Sequence, residues 1–175
     1  MIRLILSLCL LSGVAVAGDL PPPAILTNPA FIDPAPYLPN NQLTPGVIRP
    51  ELTLQQICAV KWGQDRRAVT EAMKMEVFRE YGYPLGQKDP RCPCEIDHRV
   101  PRSLGGADDI KNLSVQSYSG PWNAHDKDRV EDNAARSICL PAGGMSLDKA
   151  RAIFLGNWTD RYRELFGIPP DARVN

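Results

Sequence analysis

Cys94-Glu95-Ile96-Asp97-His98-Arg99-Val100-Pro101-Arg102-Ser103-Leu104-Gly105-Gly106 opens with a run in which apolar and polar residues alternate from Glu95 to His98, the pattern of a short strand with one buried face. Pro101 ends strand pairing because it brings no backbone donor. Gly105-Gly106 allow a wide loop. Asn112-Leu113-Ser114-Val115 form the return strand, so the stretch predicts a β-hairpin. Both histidines of the chain lie in this neighbourhood: His98 at the strand end and His125 beside Asn123, where a helix begins.

Helical signals flank the hairpin on both sides. Thr53 is an N-cap for a short helix through Leu54, Ile57 and Val60 that carries Cys58 inward. A second helix over 66–81 places Val69, Ala72, Met73, Val77 and Tyr81 at helical spacing, with Gly82 as its stop. Trp62, between the two, reads as a packing residue. The helix near Asn123 carries Val130, Ala134 and Ile138 inward and closes at Cys139. From the Ser146 cap a last helical region runs through Leu147, Ala150, Phe154, Trp158, Tyr162 and Leu165, with a break at Gly156. Several helices around one hairpin predict an α+β fold, built as a single domain over 51–168 with a C-terminal tail over 169–175.

A chain of 175 residues is long enough for one domain with a real core. Lysine plus arginine and aspartate plus glutamate stand at 20 each, so any nucleic-acid binding must rest on a local patch. Residues 1–17 read as a secretory signal: Arg3, an apolar run from Leu4 to Leu11, and Ala15-Val16-Ala17 as the cleavage site. That run is shorter than the ~20 residues of a bilayer span. The expected mature protein is therefore periplasmic or secreted, without membrane insertion, and a monomer. Residues 18–50, dense in proline, read as an extended arm or linker.

Of the five cysteines, Cys9 lies in the leader, leaving Cys58, Cys92, Cys94 and Cys139. An even count in an oxidising compartment predicts two disulfides. Cys92 and Cys94 flank a single proline and are poorly placed to bond each other, so each is expected to reach Cys58 or Cys139. A structural zinc on four thiolates is the rival reading.

Asp97-His98, then Pro101, Gly105-Gly106, Asn112-Leu113, and an Asn or His opening a helix resemble the HNH family of ββα-metal nucleases, over residues 94–133. The resemblance implies a ββα-metal core and an endonuclease that hydrolyses the phosphodiester bonds of nucleic acid, DNA foremost. His98 would be the general base, since a neutral imidazole can take a water's proton near neutral pH. Asp97 would hold one divalent cation, Mg²⁺, Mn²⁺ or Zn²⁺. Asn112 would fix the orientation and tautomer of the base from the neighbouring strand. The third position is open. A regular helix from Asn123 turns Asn123 and Lys127 to the side of Val130 and Ala134 and sends His125 outward. A helix that starts only at about His125 puts that residue in the first turn, where the approach to a metal is open. The resemblance favours a His or Asn just ahead of the Lys, which makes His125 the expected ligand and Asn123 the close alternative.

Arg99, Arg102 and Lys127, with Lys111 and Arg129, are the basic residues expected to meet phosphate, although acidic residues are interleaved with them. A reading from a different class is a catalytically inactive HNH-like module, stapled by disulfides, that binds nucleic acid or protein.

Overall fold

The computed structural model describes residues 37–61, 66–141 and 144–173. The expected leader, the first part of the proline-rich arm and Trp62 lie outside the described residues. Among the described residues, five α-helices surround one two-stranded antiparallel sheet, so the architecture is α+β as expected. In that sheet β1 (Cys94–His98) pairs with β2 (Leu113–Ser117), Ile96 opposite Val115 and His98 opposite Leu113. Burial alternates along β1: Cys94, Ile96 and His98 are buried, Glu95 and Asp97 half-buried.

The hairpin lies between two apolar clusters. On one side Val77 and Phe78 of α2 (Glu71–Glu80) pack with Cys92, Cys94, Ile96 and Leu113. The larger cluster joins α3 (Ala124–Ile138), α4 (Leu147–Leu155) and α5 (Trp158–Phe166) through Val130, Ala134, Ile138, Ala150, Phe154, Trp158 and Tyr162. This is the stripe expected from the spacing. Burying a side chain the size of Phe154 stabilises by about 1.5–3 kcal/mol, so the stripe outweighs capping in fixing α4 and α5. Trp122 leads into α3 with φ +58°. Its ring meets Trp158 and Tyr162 edge-on at 6.2 and 5.8 Å, and its carbonyl accepts from Gln116 Nε2 at 3.0 Å.

The helix starts follow their capping residues. Thr53 and Gln56 exchange hydrogen bonds ahead of α1 (Leu54–Ala59), and Asn123 and Ser146 each accept the backbone N–H of the third residue on. Gly156 ends α4. The second helix starts later than its apolar spacing suggests, because the Thr70 hydroxyl caps it by accepting from Met73 N at 3.2 Å. The residues just before it are drawn onto the hairpin instead: Arg67 donates to Ile96 O in β1 at 3.2 Å and Ala68 N to Asp108 Oδ2 in the loop at 2.6 Å.

Residues 37–50 do not behave as a solvated arm. Thr44 is fully buried, and its hydroxyl donates to Leu113 O at 2.8 Å. Gly46 N donates to Lys111 O and Ile48 bridges to Gly106, while Tyr37, Leu38 and Ile48 pack on the larger cluster. Proline removes donors, but the groups between prolines still pair. Of the tail expected over 169–175, the described part packs, since the turn Pro170–Ala172 buries Ala172 completely. No helix among the described residues is long and apolar enough to cross a membrane.

The cysteines pair otherwise than expected. Cys58 bonds Cys139 with Cα atoms 5.6 Å apart, joining the end of α1 to the end of α3. Cys92 and Cys94 lie at disulfide distance from each other, Cα atoms 4.9 Å apart, inside the smaller cluster and remote from that bridge in the packing. Cys58 is exposed, and its neighbour Ile57 is the residue that α1 turns inward. Replacing Cys58 and Cys139 together by serine is expected to cost about 2–5 kcal/mol, whereas the same change at Cys92 and Cys94 costs less, because cross-linking two residues so close restricts the unfolded chain little. Guanidinium unfolding of the two double variants checks the order.

Candidate active site

β1 ends at the mouth of a cleft of about 500 Å³. Arg67, Asp97, His98, Pro101, Arg102 and Ser103 line its hairpin side, and Asp128, Glu131, Asp132 and Ala135 of α3 line the other. Although Asp97 and His98 are adjacent on a strand, both reach this cleft.

His98 is 4 % exposed, and its Nε2 lies 2.7 Å from Asp108 Oδ1. A carboxylate only accepts, so Nε2 carries the proton and Nδ1 is left with the lone pair. Asp108 is itself held from two other directions, by Ala68 N at 2.6 Å and by Arg102 Nε at 3.3 Å. Burial lowers the His98 pKa below the ordinary histidine value against the pull of Asp108 and Asp97, and Arg67 adds to the lowering. The imidazole is thus held neutral. Burial pushes the Asp108 carboxyl up, but Ala68 N–H, His98 and Arg102 hold it below the usual range.

Asn112 does not touch the ring. Its Nδ2 donates to the carbonyls of Val100 and Ala107, both at 3.0 Å, and its Oδ1 accepts from Val100 N at 2.9 Å and Val47 N at 3.3 Å. Backbone groups take all four of the positions an amide offers, so the expectation that Asn112 sets the tautomer is corrected. It clamps the loop, and Asp108 orients the imidazole. Gly106 belongs to the same clamp: a Cβ there would sit 1.8 Å from Val100 O and 2.9 Å from Asn112 Nδ2.

Asp97 faces α3. Lys127, 1 % exposed, donates from Nζ to Asp97 Oδ2 at 2.5 Å, to His98 O at 2.8 Å and to Glu131 Oε1. The other Asp97 oxygen accepts from His98 N at 2.7 Å. Burial alone would raise Asp97 and lower Lys127, but their mutual attraction wins on both: Asp97 is held below the usual carboxylate range and Lys127 stays a cation, helped by Glu131. Glu131 is pushed up, by burial first and then by the neighbouring Asp97.

The two expected helix ligands lie elsewhere. Asn123 is the N-cap of α3, its Oδ1 accepting from Asp126 N at 3.1 Å and its Nδ2 donating to Gly120 O at 2.8 Å. His125 is exposed in the first turn and stacks on Tyr118 with ring centroids 5.8 Å apart. Helical periodicity turns Lys127 toward Asp97 and His125 away from it. The set of Asp97 with His125 or Asn123 therefore does not fit a cation, since an ammonium, which has no lone pair to offer, stands on the one carboxylate proposed to hold it.

No family model, curated protein or solved structure matches this chain.

The basic residues also separate. Arg99 is buried and donates to the carbonyls of Phe154 at 3.2 Å, Thr44 at 2.6 Å and Leu155, so it closes the end of α4 and does not face the cleft. Lys127 is sealed beneath Asp97. Arg129 stacks over Phe166 at 3.9 Å, and Lys111 is exposed away from the cleft lining. Arg102 does line the cleft, joined by Arg67. Sequence reading passed over Arg67, Asp108 and Glu131. Only Glu131 carried a signal, its position four residues after Lys127 on one helix.

Proposed function

We propose that residues 94–133 form an HNH-like ββα site that hydrolyses phosphodiester bonds of nucleic acid, DNA foremost, in a periplasmic or secreted protein. The observation that carries this reading is the Asp108–His98 pair: a neutral, oriented imidazole at a strand end, lining a cleft closed on its other side by α3. Nδ1 takes the proton of an attacking water while Asp108 holds Nε2–H and stabilises the charge that develops on the ring. Arg67 and Arg102 offer the phosphate its counter-charge from the hairpin side, and the carboxylates of Asp128 and Asp132 keep it off α3. With so few phosphate-facing cations, binding is local and falls with salt.

A second reading, a binding module without catalysis, draws on one observation: both Asp97 oxygens are already taken by Lys127 and the His98 amide. The two readings part on supercoiled plasmid. The parent protein should convert it to open circle and His98→Ala should not. A parent that leaves plasmid and single-stranded RNA intact in EDTA and with Mg²⁺, Mn²⁺ or Zn²⁺ removes the nuclease reading in favour of the binding module.

A further inference from the structure

The Lys127 ammonium is surrounded on one side by oxygens alone: Asp97 Oδ2 at 2.5 Å, the His98 carbonyl at 2.8 Å and Glu131 Oε1. Two carboxylates and a carbonyl are the donors that hard cations take. They come from the strand end and from one face of α3, the two elements that frame the cleft. Its side chain is 1 % exposed, and all three of its N–H bonds are used. Such a cation does not reach a substrate phosphate. It neutralises carboxylate charge beside His98 and fixes the His98 main chain through its carbonyl.

We infer that Lys127 is the resident cation of this site, standing in the place where the strand-end carboxylate would otherwise hold a metal ion, and that a divalent ion binds there only when the ammonium is gone. The inference rests on the nuclease-like reading of residues 94–133 for its bearing on catalysis, but its binding consequence does not depend on activity. Lys127 is a positioning residue. Its counter-charge lets Asp97 stay ionised without repelling an incoming phosphodiester, and its bond to the His98 carbonyl keeps the imidazole at the cleft.

Titration of the full chain with Mn²⁺, followed by the electron paramagnetic resonance of the free ion, tests the place of Lys127. The parent should bind weakly, and Lys127→Met should bind about tenfold tighter or more, the effect of removing one unit charge at contact distance in a partly wet site. Adding Asp97→Asn to Lys127→Met should abolish the gain. Parent nicking of plasmid should persist in EDTA. Equal Mn²⁺ affinity in parent and Lys127→Met overturns the inference, as does a parent that binds Mn²⁺ tightly or nicks only when Mn²⁺ is added. If Lys127→Met does not fold, Lys127→Gln, which keeps a donor but no charge, takes its place, and the parent measurements decide alone if neither folds. A parent that nicks nothing under any condition removes the nuclease reading and leaves the Mn²⁺ titration to judge Lys127.

Discussion

His98→Ala is expected to lower plasmid nicking by about 10²–10⁴-fold, the usual contribution of a positioned general base, with little loss of fold. The ring is buried, but Asp108, which it bonds, keeps its contacts to Ala68 N and Arg102 when the imidazole is removed. Asp108→Asn gives the sharper test. An amide can present its NH₂ to Nε2, which moves the ring proton to Nδ1 and blocks the atom that must accept from water. Its loss should approach that of His98→Ala although the imidazole is still present. Because burial lowers the His98 pKa, the working neutral form persists below the ordinary value of about 6.5. The nicking rate should be level above neutral pH and fall only on acidification past that value. A rate that still climbs between pH 7 and 9 contradicts His98 as the base.

Asn112→Ala is expected to destabilise the hairpin strongly. The residue is fully buried, and its amide satisfies Val100 N and O and Ala107 O at 2.9–3.0 Å. Each buried group left unpaired costs about 1–3 kcal/mol. Three of them put the loss at about 3 kcal/mol or above, or roughly 10 °C in melting temperature for a chain of this size. Activity measured at low temperature on the folded fraction should fall less than in His98→Ala, since Asn112 acts on the loop and not on the ring. Thermal melting followed by circular dichroism reads the first effect, and a melt unchanged within 2 °C contradicts the clamp.

Where the signal was local, the sequence was a sound guide. Thr53 and Ser146 cap helices because their short side chains reach a free N–H three residues on, and Gly156 stops α4. For a helix already regular at Asn123, periodicity put Lys127 on the inward side with Val130 and Ala134 and His125 toward solvent, and with Asn123 as the N-cap this is the branch the fold takes. The resemblance pulled the other way, toward His125, because a motif matched by residue type does not say where the helix begins. The orienting role of Asp108 was not legible. It depends on the wide loop folding back and on Ala68 arriving from forty residues away, and nothing in the neighbourhood of Asp108 encodes that. Arg99 misled for the same reason: beside His98 in the chain it looked like a phosphate ligand, but its partners Phe154 and Leu155 belong to α4.

The bridge between Cys58 and Cys139, 81 residues apart in the chain, has a consequence for survival under proteolysis. Asp97, His98, Asp108, Asn112, Lys127 and Glu131 all fall between the two sulfurs. The whole candidate site therefore lies within a covalently closed ring, and a protease that cuts that ring once separates nothing. The cut protein keeps its mass under non-reducing conditions and comes apart only with thiol. The halves remain at the high effective concentration of a tethered pair, so a nicked molecule can keep its site assembled where an unbridged chain would lose half of it to diffusion.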